Sequence, residues 1–208
     1  MSIAKESLPF IAPLILLTIL IGWWDWRFAF IPVIFITLIA FFFRDPSRTI
    51  PSEPDIIVSA ADGKVDIIDE IPSLDEHSNA KLKRVSVFLS VFDVHINRSP
   101  VTGKIIKTQY KQGEFHNAMD GKSSELNENN LICIFYNGKK VWVRQIAGMI
   151  ARRIVCYLEK GASVERGEKI GLIRFGSRTD IYLPLEAEVI VKKGDRVRGG
   201  ETIIARLK

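Results

Sequence analysis

One eleven-residue pattern occurs twice near the C-terminus, and it limits the folds open to the chain more than any other feature. Lys160-Gly161-x-x-Val164-x-x-Gly167-Glu168-x-Ile170 returns 33 residues later as Lys193-Gly194-x-x-Val197-x-x-Gly200-Glu201-x-Ile203. In each copy the glycine after lysine suits a turn that needs unusual backbone angles, and the valine points into a core. Two copies predict two related hairpins.

The surrounding sequence agrees. Short β-branched or aromatic runs bounded by Gly, Asp or Asn predict strands at 56–58, 65–68, 85–91, 103–110, 131–136, 140–145, 154–155, 170–173, 189–191 and 202–205. Long helical periodicity is absent after residue 43. The expected fold class is mostly β, a barrel-sandwich domain that resembles the biotinyl/lipoyl type, over residues 55–208.

The N-terminal region is different. Residues 8–24 are apolar throughout, Asp25-Trp26-Arg27 interrupts, and residues 28–43 are apolar again. As helices these arms span roughly 24–26 Å, slightly less than the ~30 Å hydrocarbon core of a bilayer. They predict a membrane-anchoring hairpin over residues 1–43, with Asp25 and Arg27 at its tip and Trp23, Trp24 and Trp26 at headgroup level. A single long helix would bury both charges near its middle. A cleaved signal peptide fits poorly, because the apolar region is too long and no small-residue cleavage site precedes Arg44. Lys5 before the hairpin and Arg44 and Arg48 after it predict that both ends stay cytoplasmic. The segment 44–54, rich in proline and charge, reads as an extended linker.

The formal net charge of +5 then suits an anionic membrane surface rather than nucleic acid. Cys133 and Cys156 each lie inside an apolar run, and no Cys-x-x-Cys or Cys/His spacing occurs, so the cysteines read as reduced and no metal is expected.

Between the two copies of the repeat stands Gly176-Ser177. Such a dipeptide is ordinarily turn chemistry. A serine after glycine can also attack the preceding carbonyl, pass through an ester and eliminate, leaving a pyruvoyl group at a new N-terminus. A cut here would free a 32-residue piece whose strands still pair with the rest. Upstream, Ala61-Asp62-Gly63 reads as a turn between strands. Asp93-Val94-His95-Ile96-Asn97-Arg98-Ser99-Pro100 packs four hydrogen-bonding side chains into six positions, and residues 115–129 form a polar loop that includes His116. His77 lies in a polar run and is given no role.

Together with Phe43-Arg44-Asp45-Pro46, these segments resemble the short form of the phosphatidylserine decarboxylase family. The resemblance implies self-cleavage between Gly176 and Ser177 into a β chain, 1–176, and an α chain, 177–208, with Ser177 becoming the pyruvoyl cofactor. It implies decarboxylation of phosphatidylserine to phosphatidylethanolamine through a Schiff base, with the phospholipid, the membrane and the two chains as partners and no nucleic acid. It allows a homo-oligomer. Amino-acid decarboxylation needs an electron sink that no side chain provides, which the pyruvoyl carbonyl would supply.

By position, Asp62 and His95 resemble the pair that activates the serine, in the logic of a histidine oriented by a carboxylate. Longer members carry His-x-x-His where this chain has His95 and Arg98, so one histidine serves both cleavage and decarboxylation, or Arg98 covers part. Arg98 and Asn97 are candidate substrate ligands; a salt bridge from Arg98 to Asp93 is the structural alternative. The competing readings are an archaetidylserine-type decarboxylase, a soluble amino-acid decarboxylase, which the hairpin disfavours, and a non-enzymatic lipoyl-like module. The last needs a lysine at a hairpin tip, for which Lys64 is the one faint candidate.

Overall fold

The structure is a computed structural model and describes residues 2–75, 80–113, 127–148, 153–174 and 177–207. The chain divides into two compact units, Met1–Ser47 and Arg48–Lys208. Gly176, His77, His116 and residues 115–126 of the polar loop lie outside the described residues.

In the first unit β1 (Ser2–Ile3) is followed by α1 (Leu8–Asp25), a single 3-10 turn at Trp26–Phe28, α2 (Phe30–Phe42) and β2 (Arg44–Asp45). The two apolar arms become two helices, apolar on every side, which is the pattern of helices that are not surface elements of a soluble protein. At the turn, Arg27 donates from Nε and Nη2 to both carboxylate oxygens of Asp25 at 2.8–3.1 Å, so the two tip charges neutralise each other. Trp23, Trp24 and Trp26 are exposed around that turn. β1 and β2 pair antiparallel, Ser2 opposite Asp45, which brings the two ends of the hairpin together. Among the described residues one helical run, Lys5–Phe28, is long and apolar enough to cross a membrane; α2 has 13 residues.

The second unit consists of strands: β3 (Ile56–Val58), β4 (Gly63–Pro72), β5 (Lys81–Leu89), β6 (Ile96–Arg98), β7 (Gly103–Lys111), β8 (Asn129–Tyr136), β9 (Lys139–Ala147), β10 (Ile154–Cys156), β11 (Ser163–Val164), β12 (Lys169–Ile173), β13 (Ser177–Pro184), β14 (Glu188–Val189), β15 (Arg196–Val197) and β16 (Ile203–Arg206). They form one sheet of eight in the order β11-β7-β8-β9-β13-β5-β4-β15 and two of three, β10-β12-β6 and β14-β16-β3.

These orders are unchanged when β3 is exchanged with β6, β4 with β7, β5 with β8, β9 with β13, β10 with β14, β11 with β15 and β12 with β16. The registers follow the same exchange. Val164 lies opposite Gly103 as Val197 lies opposite Gly63, and the bulge after Ile105 matches the bulge after Val65. A pseudo-twofold therefore passes between β9 and β13, where Val143 and Ile181 are paired and exchange with one another. The repeat read from the sequence is half of this symmetry. The other half is the pair 59–65 and 99–105, Ser-Ala-Ala-Asp-Gly-Lys-Val and Ser-Pro-Val-Thr-Gly-Lys-Ile. In both, the serine Oγ donates to the carbonyl two residues on, at 2.7 and 2.6 Å.

The core between the sheets is built from inward residues of both halves, among them Val65, Val87, Ile105, Ile134, Val143 and Ile181. A second cluster, Leu82, Leu131, Cys133, Trp142 and Tyr182, lies on the other face of the eight-stranded sheet. Burial there pushes the Cys133 thiol up to about 12, so it stays protonated and inert.

Candidate active site

Ser177 opens β13, a central strand flanked by β5 and β9 and paired to both over most of its length. The sequence reading had no strand here, because Arg178, Thr179 and Asp180 look like a solvated loop. The structure buries all of them completely. The alternation resolves the apparent contradiction: Ser177, Thr179, Ile181 and Leu183 share one face of β13, and Arg178, Asp180 and Tyr182 share the other. On that other face Arg178 Nε sits 2.9 Å from Asp180 Oδ1, and the Tyr182 hydroxyl donates to Asp180 Oδ2 at 3.1 Å. The ion pair and the phenol lie together where water does not reach.

The Ser177 hydroxyl is buried, with no hydrogen-bond partner among the described residues. Native structures rarely leave a buried hydroxyl so, and Ser86 on β5 is the other such hydroxyl among the described residues. Next along the same face the Thr179 hydroxyl accepts from Asn97 Nδ2 at 3.1 Å, Asn97 Oδ1 accepts from Gln145 Nε2 at 2.9 Å, and Gln145 Oε1 accepts from Asn130 Nδ2 at 3.0 Å. Asn97 was expected to bind substrate. It is instead fully buried, with its amide committed on both sides, and it ties β6 to β13. The sequence offered no signal for Gln145, Asn130 or Thr179.

The end of the sheet where Ser177 lies also collects the other candidates. Ser177 is opposite Leu89, the last residue of β5, and Lys64, next to the first residue of β4, is opposite Phe88. Asp62 therefore precedes β4 at the same end at which β13 begins. The turn is close-packed: a Cβ on Gly63 would stand 2.1 Å from the Phe88 carbonyl oxygen, and its φ of +151° suits only glycine.

His95 is 2% exposed on the segment leading into β6. Its Nδ1 lies 3.0 Å from the Asp93 carbonyl oxygen. A carbonyl only accepts, so Nδ1 carries the proton and Nε2 is the basic nitrogen of the neutral ring. The group at Nδ1 is a backbone carbonyl; the sequence reading had paired the ring with the Asp62 carboxylate.

Asp62 has other partners. Arg48 Nη2 donates to Oδ1 at 2.9 Å and to Oδ2 at 2.7 Å, and the Gly199 backbone N–H donates to Oδ1 at 2.8 Å. At the symmetry-related position Thr102 Oγ1 accepts from the Arg166 N–H at 3.1 Å. The frame therefore needs an acceptor at both places, and only one half supplies a charge. Arg98 likewise departs from its counterpart Val58, and Asn97 from Ile57. The two halves of the symmetric fold thus differ at the positions of three candidate residues, Asp62, Asn97 and Arg98.

Arg98 donates to the Gly167 carbonyl at 2.9 Å, and its own N–H donates to Ala60, two residues before Asp62. The salt bridge to Asp93 is not formed: the Asp93 carboxylate accepts from Ser90 and pairs with Arg196 at 2.7 Å. Lys64 sits inside β4, paired with Phe88 and Arg196, and is not at a hairpin tip. Arg48, read from the sequence as a membrane-flanking charge, is drawn into the site. No group of His, Cys, Asp and Glu among the described residues could hold a metal.

Comparison with known proteins points the same way. The family model described as phosphatidylserine decarboxylase matches residues 35–205. A phosphatidylserine decarboxylase proenzyme of Wolbachia sp. subsp. Brugia malayi (strain TRS) is 45% identical over 211 residues, covering 99% of this chain and 91% of its own. Proenzymes of the same name from Geobacter metallireducens and Desulfotalea psychrophila are 44% and 41% identical, each covering 99% of this chain and 96% of its own.

Proposed function

The chain belongs to the phosphatidylserine decarboxylase family, and from that membership we propose that it is a proenzyme that cuts itself before Ser177 and then decarboxylates phosphatidylserine to phosphatidylethanolamine. The observation that carries this reading is Ser177 itself, a buried hydroxyl with no hydrogen-bond partner among the described residues, at the first residue of a central strand. A cofactor made from that residue would be held rigidly by β5 and β9 on either side, so the site suits the group.

The cut balances as follows. Ser177 Oγ loses its proton to His95 Nε2 and attacks the Gly176 carbonyl carbon; the amide nitrogen takes that proton from His95 as it leaves, giving an ester and a free amine on Ser177. Loss of the Ser177 α-proton then expels the Gly176 carboxylate and leaves a dehydroalanine N-terminus. One water enters, one ammonia departs, and a pyruvoyl group remains on the α chain, 177–208. Asp62 supplies negative charge for the imidazolium formed on His95. When present, the pyruvoyl carbonyl provides the electron sink that decarboxylation requires.

The remaining roles fall to residues already placed. Arg98 offers a guanidinium toward the lipid phosphate or carboxylate, and Asn97 holds β6 on β13. His95, after the cut, returns a proton to the carbon that has lost carbon dioxide. The apolar hairpin keeps the chain at the membrane, with Lys5 and Arg44 favouring the cytoplasmic side.

Intact mass of the purified protein tests the proposal. Two fragments are expected, split after Gly176, the smaller about 17 Da lighter than the unmodified peptide because ammonia is lost. Ser177→Ala should stay whole and inactive. A single uncut wild-type chain with full decarboxylase activity would refute it.

A further inference from the structure

Residues 48–53 run as a strap across the turns at Gly167 and Gly200, which the pseudo-twofold relates. Ile50 fills the notch between these turns, so that a Cβ on Gly167 would stand 2.2 Å from Ile50 Cδ1 and one on Gly200 would stand 3.2 Å away. Arg166 Nη2 donates to the Pro51 carbonyl at 2.7 Å, the Thr49 N–H donates to Glu201 Oε1 at 3.0 Å, and Arg206 pairs with Glu53 at 2.8 Å. These contacts fix where the strap begins, at Arg48.

The Arg48 side chain is 6% exposed and spans two acids, Asp62 at 2.7 Å and Glu201 at 3.5 Å. Asp62 is 14% exposed, and among the described residues its carboxylate receives, beyond Arg48, only the Gly199 N–H. A carboxylate has about four acceptor sites. Three are filled, and the one left is on Oδ2. The guanidinium therefore sets the plane of the carboxylate and leaves one oxygen able to accept from elsewhere. The neutral counterpart Thr102 is served by a backbone N–H alone. The arginine stands where the fold places a charge, and the symmetric frame does not itself require it.

We propose that Arg48 is a positioning residue for self-cleavage: it holds the Asp62 carboxylate in its orientation while Ser177 loses its proton. This rests on the role given above to Asp62. The strap thereby makes the cut depend on correct seating of the segment that joins the apolar hairpin to the β unit.

The test is the time course of cutting in full-length precursor made in a cell-free system with phospholipid nanodiscs, where synthesis sets time zero. Arg48→Gln should slow cutting by about a hundredfold, the scale of a misplaced catalytic group. Arg48→Lys keeps the charge but loses the two-oxygen grip and should slow it about tenfold. Added guanidinium ion should restore part of the rate to Arg48→Gln. Asp62→Asn should be as slow as Arg48→Gln, and the double variant no slower than Asp62→Asn. Ile50→Ala, which loosens the strap without touching Asp62, should cut within about threefold of wild type. If Asp62→Asn is blocked while Arg48→Gln cuts normally, the positioning role is wrong and the Asp62 role stands. If Asp62→Asn cuts normally, the Asp62 role falls and takes this one with it. If Ile50→Ala is as slow as Arg48→Gln, Arg48 serves only to seat the strap. Should Arg48→Gln fail to fold, Arg48→Lys decides: cutting at the wild-type rate overturns the proposal.

Discussion

The residues flanking the cut show how one strand can carry chemistry on one face and stability on the other. Arg178 and Asp180 are fully buried, so each compensates a charge that burial would otherwise penalise by several kcal/mol. Asp180→Ala leaves the Arg178 guanidinium without its carboxylate and should destabilise the uncut Ser177→Ala background by about 3–5 kcal/mol. Replacing both at once with Met and Leu should cost less, which pulse proteolysis of the single and double variants would show. Beside them burial raises the Tyr182 phenol well above its ordinary range, with the Asp180 charge adding to the effect. Tyr182 therefore stays a hydrogen-bond donor at any physiological pH, and Tyr182→Phe should cost about 1 kcal/mol. None of this was legible in the sequence. A strand that alternates Ser, Arg, Thr and Asp reads as a loop when the only available rule is that buried strands are apolar. By contrast Gly176-Ser177 could be singled out from the sequence, since the chemistry proposed for it depends on covalent sequence and not on packing.

At the scale of elements, the turn before β4 and the strap over it are where assembly of the proposed site can be tested. Gly63→Ala would push a methyl into the Phe88 carbonyl on the next strand, and its backbone angle gives the methyl no escape. The expected result is a precursor destabilised by about 1–3 kcal/mol or more, with cutting slowed because Asp62 moves with the turn; a thermal melt and a gel time course would measure both. The strap has its own pH signature. The Thr49 N–H, followed by the Arg48 charge, holds the Glu201 carboxyl below its ordinary range. Folding thus favours the ionised form. Its contribution is present above the unfolded value of about 4.3 and is lost as pH falls through the lower folded value. Melting temperature should drop as the buffer goes from about pH 5 to pH 3, and Glu201→Gln should flatten part of that drop. The proline-rich composition of 44–54 had suggested an extended linker. Composition does not reveal that Ile50 meets two glycine turns more than 100 residues further along the chain, and so the docking of Arg48 on Asp62 was hidden as well.

On the scale of the whole β unit, the duplication explains both what the sequence disclosed and how the cut can be survived. The Lys-Gly-x-x-Val copies were readable because turn glycines and core valines leave a strict spacing. The partner repeat, 59–65 with 99–105, escaped because Pro100 and Thr102 replace Ala60 and Asp62, and function had already altered one of the two halves. The proposed cut would fall where the duplicated halves interlock. After it, the α chain contributes β13 between β5 and β9, β15 against β4, and β16 against β3. Each of these pairings crosses from one fragment to the other, so the fragments cannot part without opening the core from both sides. We expect the cut protein to hold both fragments through gel filtration in mild detergent and to release the α chain only on global unfolding. Cys133 provides the internal clock, because its thiol is buried in β8 and protonated until the sheet opens. In a urea series, alkylation of Cys133 and loss of the α chain should share one midpoint. Release of the α chain while Cys133 is still protected would mean that β13 can leave a sheet that otherwise persists. The interlock across the pseudo-twofold would then not be what holds the mature enzyme together.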